Sequence, residues 1–400
     1  MINNKTLNEI VLKPITGEWG SEGDYVNVLR TTNFTNEGRL NYSKVIKRNI
    51  DPNRVEKKRL KVGDIIIEKS GGSPKQPVGR VVFFEREGVF LCNNFTAILR
   101  PKADEVVPKY LLYILYCNHK FGFTSAYQNK TTGIINLQLP KYLEGTKIPL
   151  PPLDQQKKIA AILDAADAYR QKTKALIEKY DELTQSLFLD MFGDPVRNPK
   201  GWDRDEMINL TTKIGSGSTP RGGKEAYQEE GISLIRSLNV YDNKFKYKNL
   251  AHINDKQAEK LKHVTVQEED VLFNITGASI CRSTVVPIDV LPARVNQHVS
   301  ILRPDHRFLN SLFLNHLLIS ENVKNTLLGV GSGGGAVMQA ITKKQLIDLE
   351  IIRPPIELQN QFGKRIQAIE VQKAQAQASL VQADNLFNSL LQKAFKGELV

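Results

Sequence analysis

The fold of this chain is decided by a stretch that occurs twice: IPLPPLDQQKKIAAIL at Ile148–Leu163 and IIRPPIELQNQF at Ile351–Phe362. The two double prolines are 203 residues apart, and the same spacing separates the ILRP strings at Ile98–Pro101 and Ile301–Pro304. Because one spacing holds over so long a stretch, the sequence predicts a tandem repeat of a unit of about 200 residues.

Each double proline is followed by a long segment without helix breakers. An acidic residue, Asp154 or Glu357, stands where it can cap the start of a helix. Neither glycine nor proline then occurs before Gly193 in the first copy, and Gly363 alone precedes Gly397 in the second. Both copies therefore predict a helix of close to forty residues, roughly 55 to 60 Å long at a rise of 1.5 Å per residue.

The apolar residues of both predicted helices advance by threes and fours, which is typical of a coiled coil. The predicted seams are Ile159, Ile162, Ala166, Tyr169, Thr173, Leu176, Tyr180, Leu183 and Leu187 in the first helix, and Ile366, Ile369, Lys373, Ala376, Leu380, Ala383, Phe387, Leu390 and Ala394 in the second. Matching seams predict an antiparallel pairing with a mixed domain at each end. We assign the coiled-coil or partner interface to Ile159, Leu163, Ala166, Leu176, Tyr180, Leu183, Leu187, Phe362, Ile366, Ile369, Leu380, Phe387 and Leu390. The surplus apolar positions pack either on the chain's own domains or on a partner helix.

The segment before each helix has a mixed composition. Short β-branched runs such as Asp64–Ile67 and Asp270–Ile275 alternate with turn residues, and each copy also holds one apolar, helix-like stretch. We predict an α+β fold with two tandem domains at residues 1–148 and 197–350, and helical regions at residues 149–196 and 351–400.

The charge of the chain favours an acidic partner. The formal net charge is +12, and of this +9 falls in residues 1–150 and +3 in residues 197–352. The densest basic run, Lys44–Lys61, is either a solvated face or a patch that contacts phosphates.

Five loops have the composition that base reading requires, with Arg or Lys for guanine, Asn or Gln for adenine, and Ser or Thr for either. They are LRTTNF (Leu29–Phe34), EKSGGSPKQPVGR (Glu68–Arg80), GSGSTPRGGK (Gly215–Lys224), IRSLNV (Ile235–Val240) and NITGASICR (Asn274–Arg282). Each alone could be an ordinary turn, but loops of this kind recur in both copies. The candidate DNA-binding residues are Arg30, Thr31, Thr32, Asn33, Lys69, Ser70, Ser73, Lys75, Gln76, Arg80, Ser216, Ser218, Thr219, Arg221, Arg236, Ser237, Asn239, Asn274, Thr276 and Arg282.

Signals for catalysis, cofactors and membranes are missing from the sequence. Cys92, Cys117 and Cys281 are far apart, which speaks against a disulfide framework or a zinc site. No methyltransferase motif, ATPase phosphate loop or histidine spacing for a metal occurs, and Gly329–Gly334 satisfies G-x-G-x-x-G without a preceding strand. The longest apolar run, Tyr110–Cys117, is too short to cross a bilayer. We expect a soluble cytoplasmic chain without catalytic residues, metal or cofactor.

With these motifs the chain resembles the specificity (S) subunit of type I restriction-modification systems, over its whole length. GEWG (Gly17–Gly20) and VLRTTNF (Val28–Phe34) resemble one type of target recognition domain of that family. SGSTP (Ser216–Pro220), DVLFNITGASI (Asp270–Ile280) and VNQHV (Val295–Val299) resemble a second type. The duplicated double-proline boxes resemble the family's conserved regions.

The resemblance implies a non-catalytic role in recognition of double-stranded DNA. Each recognition domain would read one half of a split DNA site, and the coiled coil would fix the spacer between the halves. Two methyltransferase (M) subunits, which carry the S-adenosylmethionine site and methylate adenine, would dock on the helices, and restriction (R) subunits that use ATP would join through them. Two alternatives stay open: a two-domain nucleic-acid binder that acts without an enzyme partner, and a stand-alone methyltransferase or endonuclease with an unfamiliar site.

Overall fold

The protein is described by a computed structural model at residues 3–131, 133–219, 227–329 and 340–399. The chain folds as two units: unit 1 is Met1–Lys174 with Ala378–Val400, and unit 2 is Ala175–Gln377. Each unit combines one α+β domain with a portion of each of two long helices. The fold class predicted from the sequence is confirmed.

Unit 1 begins with the elements of the first domain. Its strands are β1 (Asn3–Thr6), β2 (Ile15–Thr16), β3 (Ser21–Leu29), β4 (Ile46–Asn49), β5 (Ile65–Glu68), β6 (Ser70–Gly72), β7 (Val81–Phe83), β8 (Phe90–Cys92), β9 (Thr96–Leu99), β10 (Gln128–Thr131), β11 (Ile134–Leu137) and β12 (Lys147–Leu150). Its helices are α1 (Leu7–Ile10), α2 (Pro52–Lys58), α3 (Pro108–Lys120), α4 (Leu139–Gly145) and the first part of α5 (Leu153–Phe192).

The strands of unit 1 form small sheets. One sheet has the strand order β2-β9-β5-β7 with antiparallel neighbours, and a second has the order β4-β3-β8, in which β3 and β8 are parallel. Strands β10, β11 and β6 form a third sheet, and β1 pairs with β12. Helix α3 is apolar on all sides, and Tyr110–Asn118 are all buried. This is the pattern expected of a helix surrounded by protein.

Unit 2 contains the elements of the second domain. Its strands are β13 (Arg204–Glu206), β14 (Thr211–Ser216), β15 (Ile232–Ile235), β16 (Val240–Tyr241), β17 (Lys244–Phe245), β18 (Ala251–Ile253), β19 (Val271–Asn274), β20 (Ser283–Val285), β21 (Ala293–Val295), β22 (Val299–Pro304) and β23 (Glu350–Ile352). Its helices are α6 (Met207–Leu210), α7 (Asp255–Lys260), α8 (Ser311–Ile319), α9 (Glu321–Leu328), α10 (Lys343–Ile347) and the first part of α11 (Ile356–Lys396).

The two main sheets of unit 2 repeat those of unit 1 strand for strand. The order β14-β22-β19-β20 matches β2-β9-β5-β7, and β18-β15-β21 matches β4-β3-β8, again with its second pair parallel. Strand β13 pairs with β23 as β1 pairs with β12. The same topology in both units establishes the internal repeat in three dimensions.

A glutamine of each double-proline box fastens a long helix to its domain. The buried side chain of Gln156 accepts a hydrogen bond from the Val107 N–H (2.8 Å) and donates to the carbonyls of Pro151 (2.9 Å) and Glu105 (3.3 Å). All three bonds use backbone groups, so the contact depends on the path of the chain and not on neighbouring side chains. The start of α5 is therefore fixed on the domain that precedes it.

Both units contain a pairing of α5 with α11. In unit 1 the guanidinium of Arg170 donates to Asp384 (2.6 Å) and to Asp167 (2.9 Å). In unit 2 the ammonium of Lys373 bonds to Asp181 (2.5 Å). Arg170 and Lys373 are 203 residues apart, as are Asp181 and Asp384, so the repeat carries the same ion pair twice. In unit 2, α5 and α11 run antiparallel, because Asp181 pairs with Lys373 while the later Phe188 packs on the earlier Phe362.

The buried seam of α5 differs from the predicted one, and the prediction is wrong at every second position. Ile162, Tyr169, Leu176 and Leu183, which the apolar pattern assigns to the seam, are between 39% and 55% exposed. The positions that are buried or half-buried instead are Leu163, Arg170, Ile177, Thr184 and Met191. The reason is that a charged and a hydroxyl-bearing side chain occupy seam positions, which an apolar period cannot detect. The seam predicted for α11 matches the burial of that helix, including Ala376, Ala383, Phe387 and Ala394.

Candidate nucleic-acid interface

A tight turn after strand β3 holds Arg30 in unit 1. The Arg30 N–H donates to the side-chain oxygen of Asn33 (2.9 Å), and the Asn33 amide donates to the carbonyl of Asn41 (3.0 Å). The Arg30 guanidinium donates to the carbonyl of Lys44 (3.2 Å). Asn33 is buried, so it closes the turn internally, while Arg30 stays half-buried at its edge.

Unit 2 builds the same turn 206 residues later, after strand β15. The Arg236 N–H donates to Asn239 (3.1 Å), and the Asn239 amide donates to the carbonyl of Lys246 (2.8 Å). The Arg236 guanidinium donates to the carbonyl of Asn249 (2.5 Å) and lies over the ring of Tyr227, 5.0 Å from its centroid. In both turns the arginine Nε is buried and has no hydrogen-bond partner among the described residues. We call these two elements the arginine turns.

A second loop of unit 1 is tied to its arginine turn. Arg80 makes a buried two-bond contact with Glu68 (2.8 and 3.0 Å) and also donates to the carbonyl of Thr31 (3.3 Å). Ser73 and Gln76 exchange backbone hydrogen bonds, both 2.9 Å long. These bonds place a tight, exposed turn with polar side chains next to the arginine turn.

The corresponding loops of unit 2 form one polar network. The Asn274 amide donates to the carbonyl of Ser237 in the arginine turn (2.9 Å). Thr276 Oγ1 lies 2.6 Å from His298 Nδ1, and the side chain of Gln297 contacts His298 Nε2 at 3.1 Å. Thr219 bonds to Gln297 through its hydroxyl. Four segments that are distant in sequence, at residues 219, 237, 274–276 and 297–298, are therefore linked by side-chain hydrogen bonds.

The predicted DNA-binding residues differ in how accessible they are. The exposed ones are Thr32, Ser73, Lys75, Gln76 and Ser218. The half-buried ones are Arg30, Thr31, Lys69, Ser70, Ser216, Thr219, Arg236, Ser237, Thr276 and Arg282. The buried ones, which all donate hydrogen bonds within the protein, are Asn33, Arg80, Asn239 and Asn274. Arg221 lies outside the described residues.

The basic run of unit 1 is partly neutralised by internal contacts. Arg48 stacks on Trp19 at 4.1 Å from the ring centroid, and both Arg54 (3.1 Å) and Lys58 (2.7 Å) pair with Glu18. Within the part of the chain that the structure describes, the exposed lysines of this run without an ion pair are Lys44, Lys47, Lys57 and Lys61. These four are the side chains that remain available to phosphates.

Two motifs contain a glycine because the backbone is crowded there. A Cβ on Gly17 of GEWG would lie 1.9 Å from the carbonyl oxygen of Asn93, and a Cβ on Gly217 of SGSTP would lie 1.8 Å from that of Val295. Both glycines are thus required for packing, and these motifs combine a structural role with any contact to DNA.

The three thiols of this chain are buried and are not activated as nucleophiles. Burial raises the pKa of the thiols of Cys92, Cys117 and Cys281 to about 11, so all three stay protonated. No group of three or more metal-ligating side chains occurs within residues 3–131, 133–219, 227–329 and 340–399. In those same ranges, no helix is both long and apolar enough to span a membrane.

Comparison with known proteins relates this arrangement to a family. Residues 7–180 match the family model described as the type I restriction modification DNA specificity domain. The chain is therefore similar, over its first repeat, to the specificity subunits of type I restriction-modification systems. A putative type I specificity subunit of Methanocaldococcus jannaschii is 27% identical over 339 residues, which cover 79% of this chain and 73% of that protein. The EcoKI specificity subunit of Escherichia coli is 24% identical over 411 residues, covering 94% and 83%.

The fold of a solved specificity subunit agrees with the one described above. The crystal structure of the type I S subunit from M. genitalium superposes with a TM-score of 0.60 at 15% identity, covering 98% of this chain and 96% of that one. At this identity the comparison supports the fold alone.

Some residues of this site were not singled out from the sequence. Gln297 and His298 link two loops of unit 2, and the VNQHV string that contains them was the available signal. The common pattern of the arginine turns, R-x-x-N after a strand at a spacing of 206, was a second signal that linked Arg30 to Arg236.

Proposed function

We propose that this chain supplies DNA sequence specificity to a type I restriction-modification complex, with each unit reading one half of a split site in double-stranded DNA. The observation that carries the proposal is the duplicated arginine turn. Two copies of one domain present Arg30 and Arg236 in the same geometry, each beside a cluster of polar loops. Two equivalent readers in one chain suit a target with two separate halves.

The arginine turns are suited to read a base or to hold a phosphate. Each guanidinium is fixed by a backbone carbonyl, so little side-chain freedom is lost when it binds. A guanidinium placed in this way offers its remaining donors as a fork, which matches the two acceptors of guanine or two phosphate oxygens. The exposed polar side chains of the neighbouring loops then complete the contact.

The long helices are proposed to fix the spacer and to bind the methyltransferase subunits. Within unit 1, Ile162 and Tyr169 of α5 are exposed, and within unit 2, Leu176 and Leu183 are exposed on the same helix. They stand seven residues apart, which places them along one face of α5. Exposed apolar residues that repeat along one face are typical of a partner interface. Because the chain contains two copies of one unit, we propose two methyltransferase subunits per chain, with restriction subunits joining through them.

This chain is proposed to carry neither catalysis nor a cofactor. The S-adenosylmethionine site and methyl transfer would belong to the methyltransferase subunits, and ATP-dependent cleavage to the restriction subunits. The proposed domains are residues 1–148 and 197–350, and the proposed spacer regions are residues 149–196 and 351–400. We propose a cytoplasmic location, where the DNA and the partner subunits are found.

Variants of the arginine turns test the division of labour between the units. Arg236→Ala should weaken binding by about 1 to 3 kcal/mol for the half-site that unit 2 reads, and Arg30→Ala should do the same for the other half-site. Binding to DNA libraries randomised in one half-site measures both effects. Lys47→Ala is a matched control, because this exposed lysine should weaken binding equally for all sequences. A uniform loss for both arginine variants would contradict base reading by these turns.

Reconstitution separates the proposal from its alternatives. The purified chain should transfer no methyl group, and should direct site-specific methylation when the methyltransferase subunit is added. Methyl transfer by the chain alone would favour a stand-alone enzyme, and failure of the subunit to bind would favour a DNA binder without a partner. Removal of one heptad from each long helix should shorten the helix pair by roughly 10 Å. The preferred DNA spacer between the half-sites should then become shorter, while the sequences of both half-sites stay the same.

A further inference from the structure

Unit 2 contains a cavity that is larger than its counterpart in unit 1. The cavity has a volume of about 760 Å³ and is lined by side chains of α5, α8, α9 and α11 together with the loop at residues 242–244. The equivalent cavity in unit 1 has a volume of about 320 Å³ and lies near residues 36–38. At the spacing of 206, these residues correspond to 242–244. The larger volume lies in the range of small-molecule sites, roughly 300 to 1,000 Å³.

The difference in volume arises from specific substitutions between the repeats. In unit 1, Phe387 fills the space and contacts the rings of Tyr113 and Tyr116, with centroid distances of 6.1 and 6.4 Å. At the spacing of 203, Phe387 corresponds to Thr184 and Tyr113 to His316. Threonine and histidine are smaller than phenylalanine and tyrosine, so unit 2 keeps the surrounding helices but loses the bulk between them.

One buried hydroxyl in this cavity, that of Thr184, has no hydrogen-bond partner among the described residues, and the buried His316 lies in the same lining. Thr184 is 5% exposed, and its hydroxyl makes no hydrogen bond within that part of the chain. His316 is 7% exposed, and its ring contacts Phe362 edge-on at 5.3 Å. Buried polar groups are normally satisfied, so the unpartnered hydroxyl of Thr184 indicates a missing partner in this cavity.

The charges around the cavity favour a cation. Its lining contains the carboxylates Asp181, Asp194, Asp242, Glu321 and Glu370 and the ammonium groups Lys244 and Lys373. Lys373 pairs with Asp181 (2.5 Å) and Glu370 (3.6 Å), and Asp242 pairs with Lys324 (2.6 Å). In the described part of the chain Glu321 has no ion pair, which leaves an acidic excess at the rim.

The floor of the cavity is apolar. Ile177, Phe188, Leu189 and Ile319 contribute to the lining, and Phe188 and His316 both contact the same ring of Phe362. A ligand that fills the cavity therefore needs an apolar body as well as a charge.

We propose that this cavity binds an organic cation with an aromatic or aliphatic body, whose apolar part takes the place that Phe387 takes in unit 1. The charged group lies at the acidic rim near Glu321, and the hydroxyl of Thr184 and the imidazole of His316 serve as its hydrogen-bond partners. The cation is either a free amine or a basic side chain of a partner subunit, since both offer the same chemistry.

The test uses the full chain and 2-phenylethylammonium chloride as the probe, titrated by ligand-observed NMR. The wild-type protein should bind the probe with a saturable isotherm. Thr184→Phe, which restores the side chain found in unit 1, should weaken binding by about tenfold or more because it fills the cavity. Thr184→Val is the matched control: it keeps the volume and should change the affinity by only about threefold. Phenylacetate, which has the same ring and the opposite charge, should not saturate.

Three results would overturn the proposal: no saturable binding of the cation, equal binding of phenylacetate, or unchanged binding to Thr184→Phe. If Thr184→Phe fails to fold, Glu321→Lys replaces it as the test variant, since this exposed residue tolerates substitution. The reversed charge should weaken binding of the cationic probe by about threefold or more, and an unchanged affinity would overturn the proposal. Addition of the methyltransferase subunit then identifies the source: loss of probe binding indicates a side chain of that subunit, and retained binding a free amine. Because these measurements need no DNA, their outcome is independent of the proposed role in DNA recognition.

Discussion

Replacement of Gln359 by alanine should destabilise unit 2 by about 3 kcal/mol. The fully buried side chain accepts a hydrogen bond from the Asn310 N–H (2.9 Å) and donates to the carbonyls of Phe308 (3.0 Å) and Pro354 (2.8 Å). A hydrogen bond contributes about 1 kcal/mol net, and a buried group left without a partner costs about 1 to 3 kcal/mol. Alanine would strand three backbone groups at once, so the loss should fall between roughly 2 and 4 kcal/mol.

Urea unfolding followed by circular dichroism measures this loss, and hydrogen exchange of peptides from α8 and β23 assigns it to unit 2. The control is Gln361→Ala, because Gln361 is exposed two residues further along the same helix and its removal should change stability by less than about 0.5 kcal/mol. Equal effects of the two variants, or a loss below about 1 kcal/mol for Gln359→Ala, would refute the view that this glutamine fastens the helix to the domain.

Further variants test the helix pair and the buried histidine. Arg170→Met should cost about 1 to 3 kcal/mol in urea unfolding, because Asp384 loses its partner and Asp167 keeps only Arg39, whereas the exposed Lys172→Met should be nearly neutral. Phe387→Thr, which copies unit 2 into unit 1, should cost about 3 to 5 kcal/mol in the same assay through the cavity it creates. Burial lowers the pKa of His316 to about 4 from an unfolded value of 6.5. Unfolding therefore takes up a proton between these values, so unit 2 should lose stability as the pH falls from 6.5 towards 4. His316→Gln should flatten the pH dependence measured by hydrogen exchange.

The repeat made much of this fold predictable. The double prolines marked the start of both long helices, and α5 and α11 begin at Leu153 and Ile356, directly after those prolines. Gln156 and Gln359 could also have been found, since they share the spacing of 203. What sequence could not show is that their partners are backbone groups, because those depend on how each domain folds back on its helix.

The seam of α5 could not be predicted because its side chains do not follow the apolar pattern. Leucines and tyrosines at one set of positions are exposed, while Arg170 and Thr184 occupy the buried set. Arg170 is tolerated there because Asp167 and Asp384 neutralise it. The spacing of apolar residues predicts burial from composition alone. Paired charges or a cavity can bury a different set of positions locally.

The candidate DNA residues show a similar limit. Asparagines that suit adenine also suit turns, and Asn33 and Asn239 are used in turns, with both ends of each amide bonded inside the protein. Composition selects the loop in such a case, but it cannot tell a residue that closes the turn from one whose side chain stays available. The repeat resolves the ambiguity, because the arginine beside each buried asparagine keeps the same position in both units.

The net charge of a segment also overstates the number of basic side chains that are free to contact DNA. The formal charge predicts that unit 1 depends on phosphates more than unit 2, because +9 of it falls in residues 1–150. Arg48, Arg54 and Lys58 of the densest run, however, are engaged by Trp19 and Glu18. The salt dependence of DNA binding scales with the phosphates that are neutralised and not with the formal charge. We therefore expect the difference in DNA affinity between the two units to depend on the few lysines whose ammonium groups remain free at the surface.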